Sequence, residues 1–474
     1  MSTSDSSQAD NIERLLSLIN SAARSAVAEY NKMGSGPPPL DSTQSHPTDV
    51  QEDVLQLKKA IRLLEATCDQ LCATLAPPQH TMMNRAQNAE WACILVVIEA
   101  GIVDALDKYP EGAHVDVLAK DVNMDTGKLG RVLRLLATRN CFVEVDTNLF
   151  ANNRLSLQLH SGNPVSDLAH CHVTLTPKAA TVLCDNLTQD PYRLSYEFSN
   201  APFMHSVQDE GLTGGFFDWM KAHPEKRSMF GRAMIGMGKV MGSSNVLYHY
   251  DWNRVSTICD VGSGIGTFAM PFSRMFPKAT ITLVDLPGPI AQAKEFWAKD
   301  YPEAVAEGRS VFVEGDFFVD IPVKDQQVYY VSNILHNWPD AEAANILKTV
   351  RKAMGTDSRV ILHEYVVQHL NRNVGSISPS SDDNMVITFH FNFSSKDTVL
   401  TSFRSSTQAP QPLLPNFDMG SVRTYYQDFT MLVTYNSRER TLAEFNGLMM
   451  QAQLEFESIH DMGETCLVVY KCAE

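Results

Sequence analysis

Apolar residues at helical spacing open the chain. Ile12, Leu15, Leu16, Leu18 and Ile19 recur at threes and fours and predict a helix over residues 10–32. The glycine- and proline-rich stretch from Gly34 to Asp49 breaks it, which predicts a flexible linker. The helical period returns at Val54, Leu55, Leu57, Ile61 and Leu64 and stops at Pro77 and Pro78. These helices are expected to pack on a partner or to lie loose. Next come the apolar helix EWACILVVIEAGIVDAL, VDVLAKDV, a turn, the helix GKLGRVLRLLATRN and a hairpin in FVEVDTNLFANN, which is the element order of a winged helix. A helical region rich in aromatics and methionines (FFDWM, SMFGRAMIGMGKVM) follows between Pro202 and Trp252. From Val255 the period changes. The strands STICDV, ITLVDL, VFVEGDF, VYYVSNIL and RVILHEYVV alternate with helices, which predicts an α/β fold with a doubly wound parallel sheet. The expected division is a helical and linker extension over 1–80, a winged-helix domain over 81–200 and a sheet domain over 201–474.

Composition narrows the function. Of 474 residues, 44% are hydrophobic and 20% charged, so most of the chain is expected to fold. A formal charge of −16 disfavours nucleic acid as a partner, because affinity for it comes mainly from neutralised phosphates. Lys128, Arg131, Arg134 and Arg139 could face phosphates, yet Leu129, Val132, Leu133, Leu135 and Leu136 on the same helix read more simply as core with solvated cations beside it. The start, MSTSDSSQADNIERLL, has neither the basic residues nor the apolar run of a secretory signal, and no apolar stretch reaches 18 residues. A cytoplasmic protein without a membrane partner is expected. Nine scattered cysteines read as reduced thiols, and the cluster His170, Cys171, His172 lacks the spacing of a zinc site, so no metal is expected.

Candidate chemistry sits at the strand ends. The first strand runs through Asp260 into Gly262-Ser263-Gly264-Ile265-Gly266, where glycines let backbone approach a cofactor. A dinucleotide fingerprint wants a third glycine where Thr267 stands, which favours a phosphate-free adenosyl cofactor. Asp285, ending the second strand, suits a pair of ribose hydroxyls. Asp316 could accept from an adenine amino group, with the Phe317 ring against the base. Past the fourth strand comes ILHNWPD, whose His336 faces the same crevice, and Glu364 and Glu439 supply acids to accompany it.

DVGSGIG, LVDLP, GDFF, ILHNWPD, HEYV and DFTMLVTYNSRERTLAEF, in that order between Asn84 and Tyr470, resemble the motifs of the caffeic-acid-type O-methyltransferase family of plant and fungal secondary metabolism. The resemblance implies a cation-independent class I methyltransferase sheet, S-adenosylmethionine as cofactor, and a winged helix used for homodimerisation. By motif it implies His336 as general base flanked by Glu364 and Glu439. It gives Gly262, Gly264, Asp285, Asp316, Phe317 and Ser332 to the cofactor, and Met234 and Met431 as a clamp on a phenolic substrate ring. Ser332 stands where the family often has a basic residue, and Asn337 replaces the usual aspartate.

The family pattern also expects a short connection after Glu364, whereas 63 residues separate it from Asp428. The excess, taken as 371–424, reads as a surface insert, a substrate lid or a translated intron. Three other functions stay open on the sequence. They are an inactive methyltransferase-like regulator, a winged-helix DNA-binding protein and a nicotinamide oxidoreductase.

Overall fold

The computed structural model describes residues 3–372 and 408–473. Two long helices, Thr3–Lys32 and Leu55–Leu75, pack against each other at the N-terminus. Neither lies loose. Leu15 and Ala66 bury a common cluster with Ala409, Leu413 and Phe417, residues from the far side of the chain. The expected flexible linker is also pinned. Asp49 accepts from Arg154 Nη1 at 3.2 Å, the His46 imidazole meets Ser35 Oγ at 3.0 Å, and His46 caps the short turn Pro47–Asp49. Prolines and glycines end helices, but polar side chains can still fix the segment they free.

The next unit follows the order expected from the sequence, with one strand added. Helices Glu90–Glu99, Val115–Asp121 and Thr126–Thr138 accompany a three-stranded antiparallel sheet of β1 (Ala113–His114), β3 (Leu149–Ala151) and β2 (Val143–Asp146). Leu129, Leu133 and Leu136 are buried in its core and Val132 packs against it. Leu135, expected in that core, is 41% exposed, because the helical period turns it outward. Arg134 and Arg139 pair with Glu144 and Glu90 on the surface.

The larger sheet has seven strands in the order β11-β12-β8-β7-β4-β5-β6. β4 (Thr257–Val261), β5 (Thr280–Asp285), β6 (Ser310–Glu314), β7 (Val328–Ser332) and β8 (Arg359–Glu364) are the five parallel strands expected. β11 (Leu454–Asp461) and β12 (Cys466–Cys472) add an antiparallel hairpin on the β8 edge, which the alternating pattern gave no reason to expect.

Helices cover both faces. Asp340–Ala353 buries Ala343, Ala344, Ile346, Leu347 and Val350 on one stripe, and its acids lead while Arg351 and Lys352 trail, as the helix dipole favours. Helices Ala269–Met275 and Pro287–Asp300 pack the opposite face around Phe272, Ile290 and Trp297. β4 has β5 on one side and β7 on the other, so the strand order reverses between β4 and β7. In open sheets that crevice, beyond the strands' carboxyl ends, is where ligands bind. Among the described residues no helix is long and apolar enough to cross a membrane.

Only part of the expected insert can be followed. Residues 373–407 lie outside the described residues, but 408–424 belong to the packed structure. Ala409, Leu413 and Phe417 are buried, Arg62 stacks over the Phe417 ring at 4.1 Å, and Arg372 Nη2 donates to Leu413 O at 2.6 Å. These apolar residues serve the N-terminal helices, a partner that no local pattern reveals.

Candidate active site

Two loops meet at the crevice. The glycine loop leaves β4, and a four-residue turn, Ile334 to Asn337, follows β7. Gly262 has φ +70°, which favours glycine, and a Cβ on it would stand 2.6 Å from Ile334 Cδ1 and 3.4 Å from Phe317 Cε1. That single position thus touches the turn carrying His336 and the aromatic after β6. At Gly264 (φ +55°) a Cβ would meet nothing within 4 Å, so its backbone borders open space. Gly266 does other work: a Cβ there would lie 2.6 Å from Leu283 and 2.8 Å from Trp297 Nε1, which itself donates to Ile265 O at 3.0 Å. It seats the loop on the helix behind.

Asp285 accepts from Gly264 N at 2.8 Å through Oδ2 and from Leu286 N at 2.7 Å through Oδ1. Each oxygen keeps a second lone pair for a ligand. Burial pushes this carboxyl up, while the two backbone donors hold it down. Asp260, unclaimed by the sequence reading, proves to be 4% exposed, and burial with the neighbouring Asp285 charge drives it to about 8. Its signal was an acid inside an otherwise apolar strand. No lysine or arginine pairs with either acid among the described residues, and the Ser263 hydroxyl is buried without a partner. Two close acids, an unpartnered hydroxyl and open backbone suit a cationic nucleoside ligand and repel a phosphate. Asp316 is exposed and accepts from Phe318 N at 2.9 Å. Ser332 ends β7 and receives Asn333 Nδ2 at 3.2 Å.

His336 is 6% exposed. Its Nδ1 donates to Glu439 Oε1 at 2.7 Å, and Glu364 Oε2 lies 3.5 Å away. No described residue hydrogen-bonds Nε2. Because a carboxylate only accepts, a proton sits on Nδ1, so whenever the ring is neutral its lone pair lies on Nε2. The acids arrive by a two-residue parallel pairing: β9 (Val366–Val367) against β10 (Arg440–Thr441), with Arg440 opposite Val366, draws Glu439 and Glu364 together. They are not equivalent. Glu364 Oε1 accepts from Ile334 N at 3.0 Å and Leu335 N at 2.9 Å, so it chiefly holds the turn, and Glu439 faces the imidazole. Burial would push His336 down, but the Glu439 and Glu364 charges more than offset it and raise it to about 9, against a small opposing influence of Arg440. Burial and the Glu439 charge push Glu364 up.

His336, Glu364 and Glu439 offer ligand atoms within 4.8 Å of one another. With a proton on Nδ1 shared with Glu439, and with Glu364 Oε1 accepting two backbone donors, those atoms are already engaged in a hydrogen-bonded, proton-handling arrangement.

The two methionines of the expected clamp differ in burial. Met431 is 3% exposed and packs with Met204, Phe216 and Trp219, while Met234 stands 38% exposed outside that cluster. The helix of Met431, Val422–Tyr435, does pack on the His336 turn. Trp338 stands beside that turn with Phe198 at 5.3 Å, Phe318 at 4.7 Å and Phe317 at 6.3 Å between ring centroids. These rings form an apolar surface beside the His336 turn.

The sequence matches a family described as an O-methyltransferase domain over residues 199–388. The chain is 36% identical to "3-O-methyltransferase 2" of Phanerochaete chrysosporium over 475 positions, 98% of each chain, and 25% identical to "4-O-methyltransferase 1" of that fungus over 95% of each. The fold resembles that of the mitomycin 7-O-methyltransferase MmcR at TM-score 0.62 and 23% identity, covering 84% of this chain and 98% of that one. It also resembles human N-acetylserotonin methyltransferase solved with its cofactor, at TM-score 0.61 and 17% identity, covering 84% and 99%.

Proposed function

This chain belongs to the O-methyltransferase family, and from that premise we propose that it methylates a hydroxyl of a small aromatic or polyketide-type secondary metabolite with His336 as general base. It is an enzyme that depends on S-adenosylmethionine. One observation carries the base assignment: a buried imidazole whose Nδ1 is fixed to a carboxylate at 2.7 Å, leaving Nε2 for a substrate proton.

When bound, S-adenosylmethionine supplies a methyl group activated by its sulfonium. Gly262, Gly264 and Ser332 would border it, with Asp285 accepting from ribose hydroxyls, Asp260 facing positive charge, and Asp316 with Phe317 at the base. His336 meets the acceptor hydroxyl. On reference values, moving a phenol proton at about 10 to an imidazole at about 6.5 costs about 5 kcal/mol. With His336 raised to about 9, the gap shrinks to about 1.4 kcal/mol. Glu439 supplies most of that gain and also fixes the tautomer. Cationic charge in the crevice disfavours the imidazolium, so occupancy favours the neutral base the reaction needs. Phe198, Trp338 and Phe318 offer edges and faces to a flat acceptor. No metal is assigned a step.

The reading further takes the enzyme as a cytosolic homodimer, with residues 81–200 as the dimerising unit and 201–474 as the catalytic one. To test the function, the protein is incubated with methyl-labelled S-adenosylmethionine and separate pools of phenols, aliphatic alcohols, amines and thiols, and the products are identified by mass spectrometry. Label on an aromatic hydroxyl is expected. Label confined to nitrogen or sulfur would overturn the acceptor class, and tight cofactor binding with no transfer would favour a regulator.

A further inference from the structure

The segment that delivers Glu439 also delivers a residue the mechanism leaves unused. Arg440 is completely buried. Its Nη1 donates to Leu335 O at 2.7 Å and its Nη2 to Trp338 O at 2.7 Å, while Nε and Nη2 reach Asp340 Oδ1 at 3.0 and 2.9 Å. The two carbonyls bracket His336 and Asn337. From the other side Glu364 accepts the Ile334 and Leu335 amide protons. The turn is thus gripped through its carbonyls by a guanidinium and through its amides by a carboxylate. Asp340, whose side chain is 52% exposed, begins the helix Asp340–Ala353 and also takes Arg438 at 2.7 Å, so it ties the clamp to a rigid element.

Burying a guanidinium is costly, and an apolar residue could often fill such a position at no loss of stability. Only a planar fork of donors reaches two carbonyls and a carboxylate at once. We propose that Arg440, anchored by Asp340, is the positioning residue that fixes the His336 turn so that Nδ1 stays on Glu439 and Nε2 remains available to substrate. The proposal rests on His336 being the base. Arg440 has a second consequence: its charge opposes Glu439 beside it and Glu364 on β8 at the imidazole, and so tempers the basicity those acids confer.

Three variants and one control test this. Arg440→Lys keeps the charge but loses the fork, Arg440→Met loses both, and Asp340→Asn removes the anchor at an exposed position. For Arg440→Lys, kcat falls about 10- to 100-fold while KM for acceptor and cofactor stays within about threefold, the split expected when a group is misplaced rather than unbound. Asp340→Asn lowers kcat about 3- to 10-fold with a melting temperature within about 3 °C of the parent. In Arg440→Met the acid limb of the kcat/KM profile moves to higher pH by about half a unit or more, because a nearby cation is gone. If Arg440→Met does not fold, the other two decide. The control is His336→Ala. Should it turn over at the parent rate, the base assignment falls and the positioning role with it. Should it be inactive while Arg440→Lys and Asp340→Asn turn over within about twofold of the parent, His336 stands and the clamp is overturned.

Discussion

Replacing Glu439 with glutamine removes the charge that most raises the His336 imidazole, the proposed base, while preserving the side chain's size. Nδ1 and Oε1 are 2.7 Å apart, which puts the charge centres about 4 Å apart. At an effective dielectric constant of about 20, that interaction is worth about 4 kcal/mol, or about three pKa units. Glu364 recovers part of it, because the Glu439 charge is one of the causes that keep Glu364 high, and without it Glu364 ionises more readily. A net fall of about two units is expected, from about 9 to about 7. Only the unprotonated imidazole accepts a proton, so activity is lost as pH falls through the His336 pKa. The kcat/KM profile reports that pKa in the free enzyme. Its acid limb should therefore move down by about two units in Glu439→Gln. The plateau should fall about 10²- to 10³-fold, since a weaker base is also a poorer one and the amide can donate to Nδ1, leaving the proton on Nε2. The assay is methyl transfer to one phenol across pH 5 to 10 with the cofactor saturating and the acceptor limiting, repeated with both limiting. An acid limb within about half a unit of the parent would refute the claim that Glu439 sets His336.

Other perturbations follow from the same geometry. Gly262→Ala forces a left-handed backbone on alanine and drives its Cβ to 2.6 Å from Ile334, so a loss of about 2–4 kcal/mol in denaturant unfolding and much weaker cofactor binding by calorimetry are expected. Asp260→Asn removes a buried carboxyl that a bound cation would draw into its ionised form, and S-adenosylmethionine affinity should fall about tenfold or more, with unchanged affinity arguing that Asp260 lies outside the site. Prolonged dialysis against a chelator should leave turnover unchanged, and a loss restored by one divalent cation would turn His336, Glu364 and Glu439 into ligands.

Much of the fold was legible because its signals are local. Four of the five parallel strands, all but the edge strand β6, are largely buried apolar runs, and the strands end in a glycine, an acid or a turn that the chain itself displays. The trio His336, Glu364 and Glu439 was legible by resemblance, but not the different contacts its two acids make. Glu364 and Glu439 look alike in sequence, and only the two amides donated to Glu364 separate a residue that holds the turn from one that faces the ring. Arg440 escaped notice because arginine beside glutamate reads as a solvated charge pair, and its burial depends on carbonyls 102 and 105 positions away. Asp260 shows in sequence only as a lone acid in an apolar strand, and what marks it as a site residue is its closeness to Asp285, which lies on the next strand. The tail of the insert and the pinned linker fail for one reason: Phe417 and Asp49 owe their order to Arg62 and Arg154, contacts that no window of sequence contains.

The proposed transfer depends on His336 taking the proton from the acceptor. The direct measurement compares His336→Ala with the parent in single-turnover methyl transfer to a phenol, with S-adenosylmethionine affinity determined by calorimetry on the same samples. Transfer slowed about 10²- to 10⁴-fold with cofactor affinity unchanged within about threefold is predicted. Undiminished transfer, or a loss explained entirely by weaker cofactor binding, would contradict it.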